Sequence, residues 1–203
     1  MKYDISVYGE LKKEYLRLIE KTIDRAQEEY TRVMAIRVDF RLPADKMKLE
    51  QAKTDSAVIT RCMKSLSERI KADLKRRKKG GKRIYPCQLR YVWVREFNKK
   101  GKKHYHTLLL LNREVYFHPG DYLKSDGTLA SMISGAWMSA LGLSCPKDRY
   151  LTQFPDDGYY YLDKNGKKHL ETRDAVAFRT AYLAKLRTKN TDDGERNFGS
   201  SQG

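Results

Sequence analysis

LRYVWVREFNKKGKKHYHTLLLLN, residues 89–112, decides how the chain is read. Two runs rich in aromatic and apolar residues flank NKKGKK, whose glycine and lysines suit a solvent-facing turn, so the stretch predicts a β-hairpin. Side chains alternate across a strand, and His104 and His106 therefore present both imidazoles to one side while Tyr105 points to the other. If the hairpin pairs Glu96 with His104, the carboxylate shares that side, and a His, His, carboxylate set converges on one point. A slip of one residue would break it. Such a donor set suits Mn, Mg, Fe or Zn, and the lysines at 99, 100, 102 and 103 favour a hard divalent ion, Mn or Mg, acting as Lewis acid on a phosphodiester. The plainer alternative, two satisfied surface or edge histidines, stays open on this hairpin alone.

Upstream, Leu11, Tyr15, Leu18, Ile23, Ala26 and Tyr30 recur every three to four residues among many charges, which predicts an amphipathic helix from Gly9 to about Arg32. It runs into MAIRVDFRLP, where alternation over 34–42 predicts a strand ended by Pro43, with Arg37, Asp39 and Arg41 on one face. A second helix is expected from about Thr54 to Lys78, with Gly80 and Gly81 as its stop. Its last turns are heavily cationic, a pattern that fits either a solvated helix end or contact with phosphates.

Downstream, a helix is expected from about Thr128 to Leu141, closed by Gly142, then a short hairpin in YYYLDKNGKKHLE turning at Asn165-Gly166. Tyr159, Tyr160 and Tyr161 are read as an aromatic strand packed on the core ahead of a base-stacking run. A last helix is expected from Thr172, as N-cap, to about Lys189. The chain is expected to form a single domain over 1–190, with the N-terminal helix in 1–32 and a core in 33–190. The polar, glycine-rich 191–203 reads as a loosely ordered tail. The fold class is α+β: an antiparallel sheet with helices packed on it, as in polymerase palms and RRM-like cores.

The 203 residues carry 42 Lys and Arg against 26 Asp and Glu, a formal net charge of +16. That imbalance disfavours a compact state unless a polyanion is the working partner, and nucleic acid leads the candidates. Three scattered cysteines without a C-x-x-C pair indicate neither a disulfide framework nor a zinc knuckle and point to a reducing compartment. No signal peptide and no apolar run of spanning length are visible, so no membrane role and a cytoplasmic location are expected.

Within AVAFRTAYLAKLRTKN, Tyr182 and Lys185 are three apart and would share a helix face. A cation beside a phenol suits nucleophilic attack and later balances a phosphotyrosine, although Y-x-x-K is a weak signal in a chain with 14 tyrosines. Set in order, the R-x-D of the first strand, W-V-R-E, H-Y-H, Y-L-A-K and the terminal RNFGSS resemble the HUH endonucleases. The chain is most similar there to rolling-circle replication proteins of the inovirus and YagK/YfjJ type, over roughly Val33 to Ser201. The resemblance implies a metal held by His104, His106 and Glu96, attack by Tyr182 on single-stranded or hairpin origin DNA, and a 5′-phosphotyrosine intermediate. Lys185 would stabilise the adduct, while Lys99, Lys100, Lys102, Lys103 and Arg95 would bind DNA. Asp39 could stand behind the site or simply pair with Arg37 or Arg41. With one tyrosine in that helix, a two-tyrosine relay is not available within it. A host helicase and polymerase in a bacterial cytoplasm would be the further partners. Two rival readings are a non-catalytic basic DNA-binding module and a two-His-one-carboxylate iron oxygenase, the latter disfavoured by the charge.

Overall fold

The computed structural model describes residues 3–189 and 192–202. Its frame is a six-stranded antiparallel sheet with helices on both faces, the α+β arrangement that the sequence predicts. β1 (Arg32–Arg41) and β2 (Arg90–Phe97) flank the central β3 (Lys103–Asn112). Two short strands, β4 (Thr152–Gln153) and β5 (Tyr159–Asp163), share the outer side of β1, and β6 (Phe198–Ser200) closes the opposite edge on β2. The run TLLLL is apolar at every position after Thr107 because β3 lies mid-sheet and is covered on both faces.

The alternation along β1 sorts the two layers. After β1 comes a short helix, α2 (Lys46–Gln51), and Met34, Ile36, Val38 and Phe40, with Trp93, Tyr105, Leu109 and Leu111, pack under α3 (Val58–Lys79) and α4 (Leu129–Leu141). Val33, Ala35, Val92, Val94, Leu108 and Leu110 pack on the other face against Ile19, Ile23 and Ala26 of α1 (Lys13–Glu29) and Val176 of α5 (His169–Ala181). By the same parity Asp39, Glu96, His104 and His106 lie on this second face, at the end of the sheet next to the β2–β3 turn. Thr128 caps α4 through its side chain, and Gly142 ends the helix at φ 72, a left-handed conformation that favours glycine.

Three sequence expectations fail, each for a local reason. Asn165-Gly166 makes no hairpin: neither residue takes the positive φ that a type I′ turn needs, and the chain turns into α5 while β5 pairs with β1 instead. Helix α5 accordingly begins at His169, not Thr172, and ends at Ala181, where it tightens into a 3₁₀ turn over Tyr182–Ala184. The tail is not loose, because β6 docks on β2 and Ser201 N–H donates to the Tyr91 carbonyl at 3.0 Å. The expected body–tail boundary at 190/191 lies outside the described residues. Among those described, no helix is long and apolar enough to cross a membrane.

Candidate active site

The β2–β3 hairpin turns over Asn98–Lys102, with Gly101 at φ 70 and Asn98 N–H donating to the Lys102 carbonyl at 3.1 Å. That turn sets the register in which Glu96 faces His104, as expected, while β1 sets Asp39 opposite His106. One ligand atom each from Glu96, His104 and His106 lies within 4.8 Å of the others. Both imidazoles are held from behind. His104 Nδ1 lies 3.3 Å from the Lys102 carbonyl and His106 Nδ1 lies 2.6 Å from Asp39 Oδ1, and since those oxygens only accept, each Nδ1 carries the hydrogen. The Nε2 atoms are left as the donor atoms for a metal, the pattern in which a carboxylate or carbonyl fixes the tautomer of a ligating histidine.

His106 Nε2 is buried and has no hydrogen-bond partner. It lies 3.5 Å from Glu96 Oε2. An orphaned ring nitrogen facing a buried carboxylate and a second imidazole is the donor set a divalent ion would satisfy, so the residues fit the expected metal. Burial would lower the pKa of His106, but the Asp39 and Glu96 carboxylates outweigh it and raise the value. His104 is lowered, by burial first and then by the neighbouring His106. Burial pushes Glu96 up, yet His106, Lys189 and Lys185 together bring it down to about 2. Asp39 is likewise held low by His106 and Arg37 against the opposing effect of its burial.

Tyr182 reaches this cluster, its ring centroid 5.4 Å from that of His106 in an edge-on arrangement. The reason differs from the one the spacing suggested. Tyr182 and Lys185 do not share an α-helical face: the helix has already tightened, and Lys185 leaves it in extended conformation to pair with Leu11. The Lys12 N–H donates to the Ala184 carbonyl at 2.8 Å and the Leu186 N–H to Glu10 at 3.0 Å. Clamped this way, Lys185 Nζ stands 3.4 Å from the Tyr182 ring centroid and 3.1 Å from Glu96 Oε2. Lys189 Nζ, 3.3 Å from Glu96 Oε1, completes a buried charge cluster that sequence reasoning missed. No local sequence pattern signals it, because the helix has ended before Lys185. Arg37 and Tyr8 also flank Tyr182, at 5.6 Å from its ring in each case.

Lys99, Lys100 and Lys102 are exposed at the hairpin tip, whereas Lys103 is half-buried against Glu195 at 3.2 Å and the Thr54 carbonyl at 2.8 Å. A cleft of about 310 Å³ opens beside both histidines, lined by Arg41, Lys102 and Lys103 among others. Arg95 does not join them. It is 1% exposed on the opposite face of β2, where its guanidinium meets Asp193 at 2.7 Å, Glu195 at 2.8 Å and Asn197 at 3.1 Å. The expected DNA-binding role of Arg95 is therefore corrected to a structural one: it ties the tail to the sheet.

The family model of the YagK/YfjJ C-terminal domain matches residues 2–201. The Escherichia coli (strain K12) protein YfjJ is 36% identical over 209 residues, covering 100% of each chain. YagK of the same organism is 37% identical over 193 residues, covering 93% of this chain and 92% of its own. No solved structure matches.

Proposed function

We propose that this chain, which belongs to the YagK/YfjJ C-terminal domain family, is a metal-dependent endonuclease and strand transferase that nicks single-stranded or hairpin origin DNA. It would initiate rolling-circle replication of a phage, plasmid or mobile element. The observation that carries the reading is the Tyr182 ring 5.4 Å from His106, beside three convergent ligand atoms. A divalent ion held by Glu96, His104 and His106, Mn or Mg, would supply Lewis acidity toward a phosphate oxygen.

The residues of the chain perform the rest. The Tyr182 phenol gives up its proton and its oxygen bonds to phosphorus, the P–O3′ bond breaks, and the departing O3′ takes a proton. The products are a 5′-phosphotyrosine and a free 3′-OH that primes synthesis, and because the phosphodiester energy is conserved the reverse attack rejoins the ends. Lys185, over the ring face, offsets the charge of the adduct. Asp39 keeps the His106 ring oriented. The exposed Lys99, Lys100 and Lys102 track the backbone, and binding that weakens with salt is expected. A host helicase and polymerase would act with it.

The test is incubation of a labelled single-strand pool with Mn or Mg and a denaturing gel. Wild type should form a covalent adduct, and Tyr182→Phe should form none while binding DNA within about threefold, since one hydroxyl is removed and the ring is kept. An adductless wild type that binds DNA under both metals, or an adduct undiminished in Tyr182→Phe, overturns the reading. One observation favours a second reading, a non-catalytic basic DNA-binding module: Lys185 and Lys189 already neutralise Glu96 without a metal. It predicts DNA binding unchanged by chelators and no adduct.

A further inference from the structure

The sheet face turned away from the histidines carries a feature that the cleavage reading does not use. Five aromatic rings lie there in two groups, a pair and a trio. Phe154 stacks on Tyr122 with centroids 4.6 Å apart, and Phe117 stacks on Tyr161 at 5.3 Å. Tyr159 extends the second pair, its ring 5.7 Å from that of Tyr161. The Arg113 guanidinium closes the trio, 4.1 Å from the Tyr161 ring centroid and 4.9 Å from that of Phe117. β5 register places Tyr161 opposite Met34 and Tyr159 opposite Ile36, which fixes the trio on the α3/α4 side of the sheet.

Phe154 and Tyr161 pack partly buried against the core, as expected of the aromatic strand, but the other three rings reach solvent. Phe117 is 57% exposed, Tyr122 44% and Tyr159 40%, so large aromatic surface from both groups faces solvent in a strongly charged chain. The rings begin beside the most cationic segment of the molecule. Residues 75–83, KRRKKGGKR, hold seven Lys and Arg and no acid, more than the favourable interaction of a helix end with its last turn calls for. The two features are locked together: Arg77 donates to the Val115 carbonyl at 3.0 Å and lies over Tyr116, whose hydroxyl donates to Asp73 at 2.9 Å. A cleft of about 300 Å³, with Arg69, Arg76 and Arg77 on one wall and Ser125–Gly127 on the other, joins the helix end to the loop that carries Tyr122.

We propose that this surface is a second binding track for single-stranded DNA, with phosphates along the end of α3 and unpaired bases stacked on Phe117, Tyr161, Tyr159 and Tyr122. Aromatic faces beside a cationic groove are how proteins hold single strands without reading sequence, because every base has a π-face to offer. A duplex, whose bases are already stacked on each other, gains nothing from the ladder. The track concerns binding alone and goes beyond the cleavage reading; it would hold the strand away from the site where the proposed nick is made.

Fluorescence anisotropy of a labelled oligothymidylate tests it, in EDTA so that the result does not depend on cleavage. The double variant Phe117→Ala/Tyr122→Ala should bind about tenfold or more weakly, and Phe117→Trp/Tyr122→Trp should bind as wild type does, since a larger π-face is kept. Lys78→Gln/Lys79→Gln should flatten the dependence of log affinity on log salt by roughly one to two units. Circular dichroism melts check that each variant is folded, and the tryptophan pair tests the ladder independently if the alanine pair is not. Loss of less than twofold in a folded alanine variant, equal loss for single strand and duplex, or a salt slope unchanged by the lysine substitutions overturns the proposal. A failed ladder with a persistent Tyr182 adduct would leave the cleavage reading intact, and the converse result would leave the track intact.

Discussion

Asp39 acts through its neighbour. Its carboxylate is 2.6 Å from His106 Nδ1 and 3.3 Å from Arg37, so it both fixes the imidazole and is itself held by a cation. The sequence offered these as alternatives, a residue behind the site or a partner of Arg37 or Arg41, and the structure bonds Asp39 to both His106 and Arg37 because β1 sets it directly across from His106. Removing an outer partner of a ligating histidine typically costs ten- to a hundredfold in metal affinity. Asp39→Ala should therefore weaken Mn binding by about that factor in calorimetry, and Asp39→Asn, which keeps an acceptor oxygen, should recover part of the loss. A purely structural Asp39 would lower the melting temperature in both variants and leave the affinity of the folded fraction unchanged. Lys189 marks the limit of residue-level reading. Nothing in its spacing says that the chain leaves the helix at Lys185, and only that exit brings both ammonium groups to Glu96.

Among the elements, the β2–β3 hairpin was the most legible, since a short turn fixes register and register fixes which side chains share a face. Glu96, His104 and His106 could be brought together on paper for that reason. β6 was not legible. It has three residues, follows a polar segment, and pairs with a strand about a hundred residues earlier, so no local periodicity announces it. Gly199 explains why its sequence is narrow: a Cβ there would come within 2.5 Å of the Trp93 ring. Overpacking of this kind costs about 1–3 kcal/mol, and Gly199→Ala should lose about that much in urea unfolding. It should also expose the segment to protease near Asp193 and Glu195, because the strand that carries their neighbours can no longer sit on β2. An unchanged urea midpoint would mean that Trp93 yields and the close approach is not a constraint.

For the molecule as a whole, the +16 charge sets the terms. Each carboxylate that protonates in acid adds to a repulsion already present. Asp73, which joins α3 to the segment after β3, is held below its ordinary pKa: burial opposes this, but Arg76, the Tyr116 hydroxyl and Arg77 prevail. A depressed folded-state value means that the carboxylate contributes stability above about pH 4 and loses it as pH falls through the folded value. Asp73→Asn should be less stable than wild type at pH 7, with the gap closing toward pH 2, as followed by melting temperature across a pH series. A gap independent of pH would show that the side chain matters for its shape and not its charge. The two-sided sheet was legible at this scale, since alternation in β1 and an unbroken apolar β3 require cover on both faces. The placement of the N-terminal segment was not: Leu11 meets Lys185 through backbone groups that carry no side-chain signal.

The late position of those closing pieces has a kinetic consequence. Strands β1 to β3, with both histidines and Glu96, are synthesised before Tyr182, Lys185 and Lys189, and Arg95 waits longer still for Asp193 and Glu195. The ion pairs of Arg95 with Asp193 and Glu195, and of Glu96 with Lys185 and Lys189, thus form only after residues beyond 180 have emerged from the ribosome, and long-range closure of this sort is slow to form. Tyr182 and the face that carries Glu96, His104 and His106 are therefore brought together only in the finished fold, so any chemistry that needs both is withheld from a partly made chain.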